Sequence, residues 1–513
     1  MVLIKEHIHQ RGQIESGLLF RSLVRWATLR PEAPFLVEAE TGRALSYQQT
    51  LAGVAALRLV LGEAPCHIIL ALPGGITTAL IWLSALSGGH HLLPVAPNAT
   101  EGEKSTFGEK HQPDVIIVEH AEDAAAFGQA GARVFTRKAC EAYSEQAGLQ
   151  ILPEAREGYA YLTTSGSTGE PKGVVLTERQ IAWTAEQVRQ SHELSSLDRG
   201  LTVLPFFHVN APVVSLCASL LAGSTVVMAG RFSRQQFWSW VENYHITWVS
   251  LVPTIVAILL ETEKPAFLPG ALRFVRTGSA ALPPANMYAF EARFGIPVIE
   301  TYGLSEAASQ IVANPLPPGQ HKAGSAGRPT GVTLRICMPR LGEEMQSLCD
   351  VPDGETGEIC IAGPAVIKSY QSNEGREAFQ DGWFRTGDLG YLDSDGYLFL
   401  KGRMREVINR GGENIAPREI EELLQRYPLV REAAVVGRPD PIYGEQVVAY
   451  LAVRESWSAT DLAELRQYAA QHLSTPKVPV DLIILDELPR NASGKLDRRL
   501  LRERERVHCL TIR

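Results

Sequence analysis

Short runs of β-branched and aliphatic residues alternate with helix-period segments through the first half of this chain, and that alternation leaves few folds open. VIIVEH at 115–120, YAYLTT at 159–164, STVVMA at 224–229, ITWVSLV at 246–252 and LRFVRTG at 272–278 read as strands. Between them lie segments with helical periodicity, such as 178–191 and 233–244. Strands joined through helices lie parallel, in sheets covered on both faces. Two stretches, Cys66–Gly89 and Leu201–Gly230, contain no Asp, Glu, Lys or Arg. A bilayer helix needs about 20 consecutive apolar residues. Pro73-Gly74-Gly75 cuts the first stretch into a strand (HIILAL) and a helix (TTALIWLSAL), and Pro205, His208, Asn210 and Pro212 interrupt the second. Both read as strand–helix units of a buried core, so no membrane span is expected.

From about 355 the texture changes. GEICIAG and GYLFLKG, with frequent Gly and Asp, suggest a turn-rich antiparallel section. After Gly402, REIEELLQRY and DLAELRQYAAQHL read as helices, and AAVVGR and VVAYLAV as strands. The fold class expected is therefore α/β. A large N-terminal domain, 1–404, has parallel-rich sheets flanked by helices plus a β-rich section. A small, mobile α+β domain, 405–513, follows. A chain of 513 residues with 45% hydrophobic and 21% charged residues has material for such cores. Its net charge of −8 argues against a general nucleic-acid binder. Seven scattered cysteines without a CxxC pair read as reduced thiols. The N-terminus, MVLIKEHIHQRGQIE, has no apolar signal-peptide core. A cytoplasmic enzyme is expected, as a monomer or homodimer.

The strongest local motif is Thr163-Thr164-Ser165-Gly166-Ser167-Thr168-Gly169-Glu170-Pro171-Lys172-Gly173, between two strand-like runs. Its glycines allow close backbone approach to an anion, its hydroxyls can donate to phosphate oxygens, and Lys172 adds a positive charge. Pro171 and Gly173 flank Lys172, so this is not a Walker A loop, which needs Gly before the Lys and Ser or Thr after it. A Ser/Gly-rich tract alone is usually only a polar turn.

TSGSTGEPKG resembles the phosphate-loop signature of the adenylate-forming superfamily, which includes acyl-CoA synthetases, luciferases and peptide-synthetase adenylation domains. Further segments match that family in order: Tyr302-Gly303-Leu304-Ser305-Glu306, Thr386-Gly387-Asp388, Gly402-Arg403, Gly411-Gly412-Glu413-Asn414-Ile415 and Pro489-Arg490-Asn491-Ala492-Ser493-Gly494-Lys495. The likeness covers nearly the whole chain. It implies a Mg²⁺- and ATP-dependent activation of a carboxylic acid to an acyl-AMP, followed by transfer to the thiol of coenzyme A.

The same resemblance implies roles for residues. Thr164, Ser165, Gly166, Ser167, Thr168, Gly169 and Lys172 would hold phosphates, together with Tyr302, Gly303 and Ser305 around the nucleotide. Tyr302 would lie against adenine, Asp388 would accept from the ribose hydroxyls, and Arg403 would contact ribose or phosphate. Glu306 would give Mg²⁺ a hard oxygen ligand. Lys495 would bridge the acid carboxylate and the α-phosphate, a task suited to a point charge on a flexible stem. Arg405 occupies the hinge position, where the family more often has Asp or Lys. Gly411 and Gly412 would let the pantetheine arm of coenzyme A pass; a Gly-Gly turn is the plainer reading of the same residues.

His208, after Phe207, matches an aromatic–histidine position at the acid-pocket wall, where it would orient the acid. Asn210, Thr277, Gly278, Ser279 and Ala280 line the same region by resemblance. LPFFHV, TWVSLVPTI, LRFVR and INRGGENIAP are similar to stretches of oxalate–CoA ligases. Asn210 stands where a second histidine is expected there, and Thr277-Gly278-Ser279-Ala280-Ala281 replaces an expected Ser-Cys-Ser-Ala-Ser. The substrate expected is a small or medium carboxylic acid, with oxalate as the lesser alternative because the second histidine is lost. Two alternatives remain open at this point: an adenylation enzyme loading a carrier protein, and a non-catalytic nucleotide-binding scaffold.

Overall fold

The computed structural model describes residues 8–9, 13–145, 154–164, 172–263, 265, 270–339, 348–371, 375–454, 457–490 and 496–511. Packing divides the chain into two compact units. The larger comprises Met1–Leu282, Asn286–Leu334 and Ile361–Phe384; the smaller comprises Pro283–Ala285, Arg335–Cys360 and Arg385–Arg513. The domain boundary expected from sequence, 404/405, lies inside the smaller of these units, whose last segment begins at Arg385; it is taken up under the proposed function.

The larger unit holds two large sheets, besides a two-stranded ribbon of Ile8–His9 with Gln13–Ile14. In the nine-stranded one, Val298–Leu304, Phe274–Thr277, Trp248–Leu251, Arg199–Thr202, Thr225–Met228 and Pro34–Glu38 run side by side in parallel. Antiparallel strands close its edges: Ser309–Ala313 beside Val298–Leu304, and Ala44–Ser46 beside Pro34–Glu38. The six-stranded sheet is parallel except for one hairpin, Tyr159–Thr164 with Lys172–Thr177.

The charge-free stretches explain themselves here. Helix Ile76–Gly88 is buried at every residue and packs against strands of both sheets, so any charged residue on it would be desolvated. The second stretch runs from strand Arg199–Thr202 through half-buried Pro205, Phe207, His208 and Val209 into a π-helical turn, Asn210–Cys217, and helix Ala218–Ala222, these last two buried at every residue. Among the described residues, no helix is long and apolar enough to cross a membrane. Helix Glu178–Ser191 matches its expected span, with Thr177 and Gln180 forming a capping box. The expected 233–244 helix is shorter, Phe237–Asn243.

In the smaller unit, Val430–Asp440 and Gly444–Val453 form a long hairpin, extended by Ile408–Arg410, Glu413–Ile415 and Asp481–Ile484. Both faces are covered. Val435, Val447 and Leu451 pack with Ile420, Leu424 and Leu465, while Val436, Val448 and Tyr450 pack with Leu488 and Leu501. The period-2 alternation within AAVVGR thus serves two separate cores.

One buried carboxylate ties the larger unit together. Glu178, only 1% exposed, accepts hydrogen bonds from the backbone N–H groups of Gly17 (2.8 Å) and Leu19 (2.9 Å) at the start of helix Leu18–Leu29. It supplies from a distance the cap that Gly17 cannot provide. Glu178→Ala should cost about 2–4 kcal/mol by leaving two buried donors unpaired, with Glu178→Gln recovering part of it. A urea midpoint for the Ala variant equal to the parent's would contradict this.

Candidate active site

The expected phosphate loop connects the two strands of the hairpin in the six-stranded sheet. Thr164 ends one strand and Lys172 begins the other, directly opposite it. Ser165, Gly166, Ser167, Thr168, Gly169, Glu170 and Pro171 lie outside the described residues. Gly173 is required by packing: a Cβ there would stand 2.3 Å from the Tyr161 hydroxyl.

Lys172 brings the loop's charge to a second motif. Its Nζ stands 5.1 Å from the centroid of the Tyr370 ring, close enough for a cation–π contact. The Tyr370 hydroxyl donates to Glu306 Oε1 at 2.9 Å. Burial, with the Glu306 charge beside it, raises the phenol well above its usual range, so it remains a donor. Glu306 sits in a single 3₁₀ turn, Ser305–Ala307, where strand Val298–Leu304 folds back on Ser309–Ala313. That reversal needs Gly303, whose Cβ would fall 1.8 Å from the Ser309 carbonyl oxygen, and uses positive φ at Ala308 and Ser309. Tyr302, 8% exposed, precedes the irregularity in register at Tyr302/Gly303. Cation, phenol and carboxylate from three distant segments therefore meet. Sequence reading missed Tyr370, because nothing local marks it and its partner is 64 residues away.

The expected acid-pocket residues cluster at the carboxyl ends of the parallel strands, where open α/β sheets bind ligands. The Phe207 and His208 rings lie 4.4 Å apart, and both residues are half-buried. Asn210 Oδ1 accepts from Ser250 Oγ and from Arg276 Nη1, each at 3.2 Å. The Thr277 carbonyl accepts from Thr301 Oγ1 at 2.8 Å. A Cβ on Gly278 would stand 2.9 Å from Thr301 Oγ1 and 3.2 Å from Arg276 Nη2. Ser279, with φ +70°, and Ala280 are exposed. Arg276 was also missed, although a charge inside the apolar strand LRFVRTG was a visible signal.

The remaining candidates belong to the smaller unit. Asp388 and Arg403 are directly opposed across a hairpin and form an ion pair of 3.0 Å. The turn that carries Asp388 is braced by Glu358, which accepts from Gly387 N–H (3.2 Å) and Arg385 Nε (2.8 Å). Burial, with Arg403 nearby, lowers the Arg405 guanidinium below its usual range. Gly411 and Gly412, with φ +61° and +87°, form a two-residue hairpin loop between Ile408–Arg410 and Glu413–Ile415. Left-handed backbone at both positions is what a tight I′-type hairpin requires. Both glycines are exposed.

Asn491–Lys495 lie outside the described residues, Lys495 included. Their flanks are fixed: Arg490 bridges Leu496, and Asp497 N–H donates to the Pro489 carbonyl at 2.7 Å. Just beyond, Arg498 pairs with Glu421 (2.5 Å) and Glu406 (3.2 Å), tying the end of that loop to the segment that follows Arg405.

The AMP-binding enzyme family profile matches residues 23–371, and the AMP-binding enzyme C-terminal domain matches residues 419–495. The chain is 47% identical over 338 residues to the sulfoacetate–CoA ligase of Cupriavidus necator, an alignment covering 65% of each protein. The chain thus spans just under two thirds of that relative's length. It is 40% identical over 364 residues to the oxalate–CoA ligase of Arabidopsis thaliana, covering 69% of this chain and 68% of that protein. Among solved structures, the O-succinylbenzoate coenzyme A synthetase of Bacillus subtilis, in complex with ATP and magnesium ion, is similar with a TM-score of 0.80. Identity there is 28%, over 94% of this chain and 98% of that one. The same synthetase has been solved with its acyl-adenylate intermediate.

Gly303 offers a direct test of the strand reversal. Gly303→Ala should displace the Ser309 carbonyl, costing about 2 kcal/mol or more of stability as an overpacked site. Unfolding of the Ala variant at the parent's midpoint would show that the reversal tolerates a side chain.

Proposed function

The chain belongs to the AMP-binding enzyme family, and from that premise we propose that it is an ATP-dependent carboxylic acid–CoA ligase acting through an acyl-AMP. The observation that carries the reading is the meeting of Lys172, Tyr370 and Glu306 at the mouth of the phosphate-loop hairpin. A cation and an oriented carboxylate at one anion-binding turn suit a nucleotide carrying its divalent ion, and neither serves an apolar core.

Attack of a carboxylate on the α-phosphorus brings anions together and expels pyrophosphate, so charge and geometry are what the protein must supply. Lys172 and the loop from Thr164 to Gly169 hold the phosphates. Among the described residues no three His, Cys, Asp or Glu side chains gather into a metal cage. One hard carboxylate, Glu306, fits Mg²⁺ that arrives on phosphate oxygens and keeps much of its shell as water. Bound there, the ion would neutralise phosphate charge. Tyr370 keeps the Glu306 carboxylate turned to that task. By resemblance, Asp388 would accept from the ribose hydroxyls, Arg403 would contact ribose or phosphate, and Tyr302 would lie against the base, with Gly303 and Ser305 among the nucleotide-binding residues.

The acid enters beside His208, Asn210, Thr277, Gly278 and Ser279, with His208 orienting its carboxylate. Lys495 bridges carboxylate and α-phosphate. Once pyrophosphate has left, the chain pivots at Arg405, between domains 1–404 and 405–513. The thiol of coenzyme A then attacks the acyl carbonyl and AMP departs. Gly411 and Gly412, exposed and without side chains, leave room for a narrow pantetheine arm. Relatives named as CoA ligases support this acceptor over a carrier protein. Action in the cytoplasm is consistent with the free thiols at Cys66, Cys140 and Cys217.

Two measurements test the reading. Pyrophosphate release with Mg-ATP and a panel of acids should be acid-dependent and become multiple-turnover only with coenzyme A. Release indifferent to coenzyme A would instead favour a carrier-protein acceptor, and none with any acid would favour a non-catalytic scaffold. Lys495→Ala should slow acyl-AMP formation by about 10²-fold or more. Thiol transfer from supplied acyl-AMP should be much less affected, and equal loss in both half-reactions refutes the assigned role.

A further inference from the structure

Arg276 is 2% exposed, and its polar neighbours are neutral: Nη1 donates to Asn210 Oδ1 and Ser250 Oγ, each at 3.2 Å. Among the described residues no carboxylate forms an ion pair with it, and its buried Nε finds no acceptor. Several other buried or half-buried arginines have carboxylate partners. Arg385 has Glu358, Arg498 has Glu421 and Glu406, and Arg438 has Glu505 and Asp481. Burial lowers Arg276 to about 9, so it stays charged at neutral pH. Burial, with Arg276 nearby, pushes His192 down to about 3, so it stays neutral and adds no second positive charge.

An uncompensated buried cation is expensive, and a protein retains one where an anion arrives to meet it. The location says which anion. Arg276 lies in register with Ser250, itself in register with Thr202, at the carboxyl ends of the parallel strands. Its Nη1 and Nη2 lie directly beside Gly278, where a Cβ would come within 3.3 and 3.2 Å of them. No side chain at Gly278 therefore separates the guanidinium from the turn that leads to exposed Ser279 and Ala280. Asn210, a second acid-pocket residue, fixes the other side through Nη1.

We propose that Arg276 holds a second anionic group on the acid, making the substrate class short acids that carry a carboxylate or sulfonate besides the carboxylate that is activated. A planar guanidinium with fixed donors suits either oxyanion. The assignment rests on the ligase reading above and deepens it. Arg276 is a specificity residue, acting on the far end of the acid and not on the reacting carboxylate.

Shape-matched substrate pairs that differ in charge test it. Malonate against malonamate, and sulfoacetate against 3,3-dimethylbutanoate, keep shape while removing the second charge. Pyrophosphate release should give a kcat/KM ratio favouring each dianion by about 10²-fold, the scale of a buried charge pair. Arg276→Met should collapse that ratio toward one, and Arg276→Lys should restore part of it. If Arg276→Met does not fold, the ratio in the unaltered enzyme still decides. A ratio near or below one there overturns the proposal while leaving the ligase reading standing. Equal loss for dianion and isostere in Arg276→Met, with the ratio kept, assigns Arg276 a merely structural part and overturns it too. No acid-dependent release with any acid, under conditions where ATP still binds, removes the ligase reading and the proposal together.

Discussion

A parallel β-sheet cannot leave a face to water, because its strands are apolar on both sides and its crossovers place helices over each face. The larger unit follows from this requirement. Helix Ile76–Gly88 packs against strands of both sheets and carries no charge, since none of its residues reaches solvent. With both faces occupied, the strand ends are what remains open. Thr277–Gly278, Gly303 and Glu306 all follow or close strands there. Chemistry gathers at the rim because the interior has no room for it.

Several of the charges inside this protein are explicitly paired. Glu178 is buried with two backbone donors, and Glu358 with Arg385 and Gly387 N–H. Such groups hold structure, and removing one partner exposes the cost of the other. Lys172 with Tyr370 and Glu306 shares the same vocabulary at a site open to ligand. Arg276 departs from it, and it does so between Asn210 and Gly278, beside the turn where the acid is expected.

Much of this was legible before any coordinates. The helical span 178–191, the strand–helix reading of Cys66–Gly89 and the strands at AAVVGR and VVAYLAV follow from periodicity, whereas the pairing of those two strands into a hairpin covered on both faces came from the structure. Helix 233–244 was overextended, because Ser233 and Gln236 sit in a turn preceding Phe237–Asn243. Tyr370 was invisible, since a tyrosine's value lies in the partner its hydroxyl meets. Arg276 was visible as an anomaly but uninterpretable, since a charge in a strand has meaning only once its missing counter-ion is apparent. The Gly411–Gly412 segment carried two readings, and its geometry as a hairpin loop is compatible with both.

The sequence by itself determined the class of fold, the order of the motifs and the residue types available for phosphate, ribose and acid, because these depend on local spacing and side-chain chemistry. Only the tertiary structure decided which of them meet. Lys172, Glu306 and Tyr370 come together because a hairpin, a strand reversal and a later loop converge. Arg276 meets Asn210 because parallel strands bring a π-helical turn over their ends. Neither meeting is encoded by neighbours in sequence, since the packing of sheets against helices fixes distances between segments that no local pattern can express.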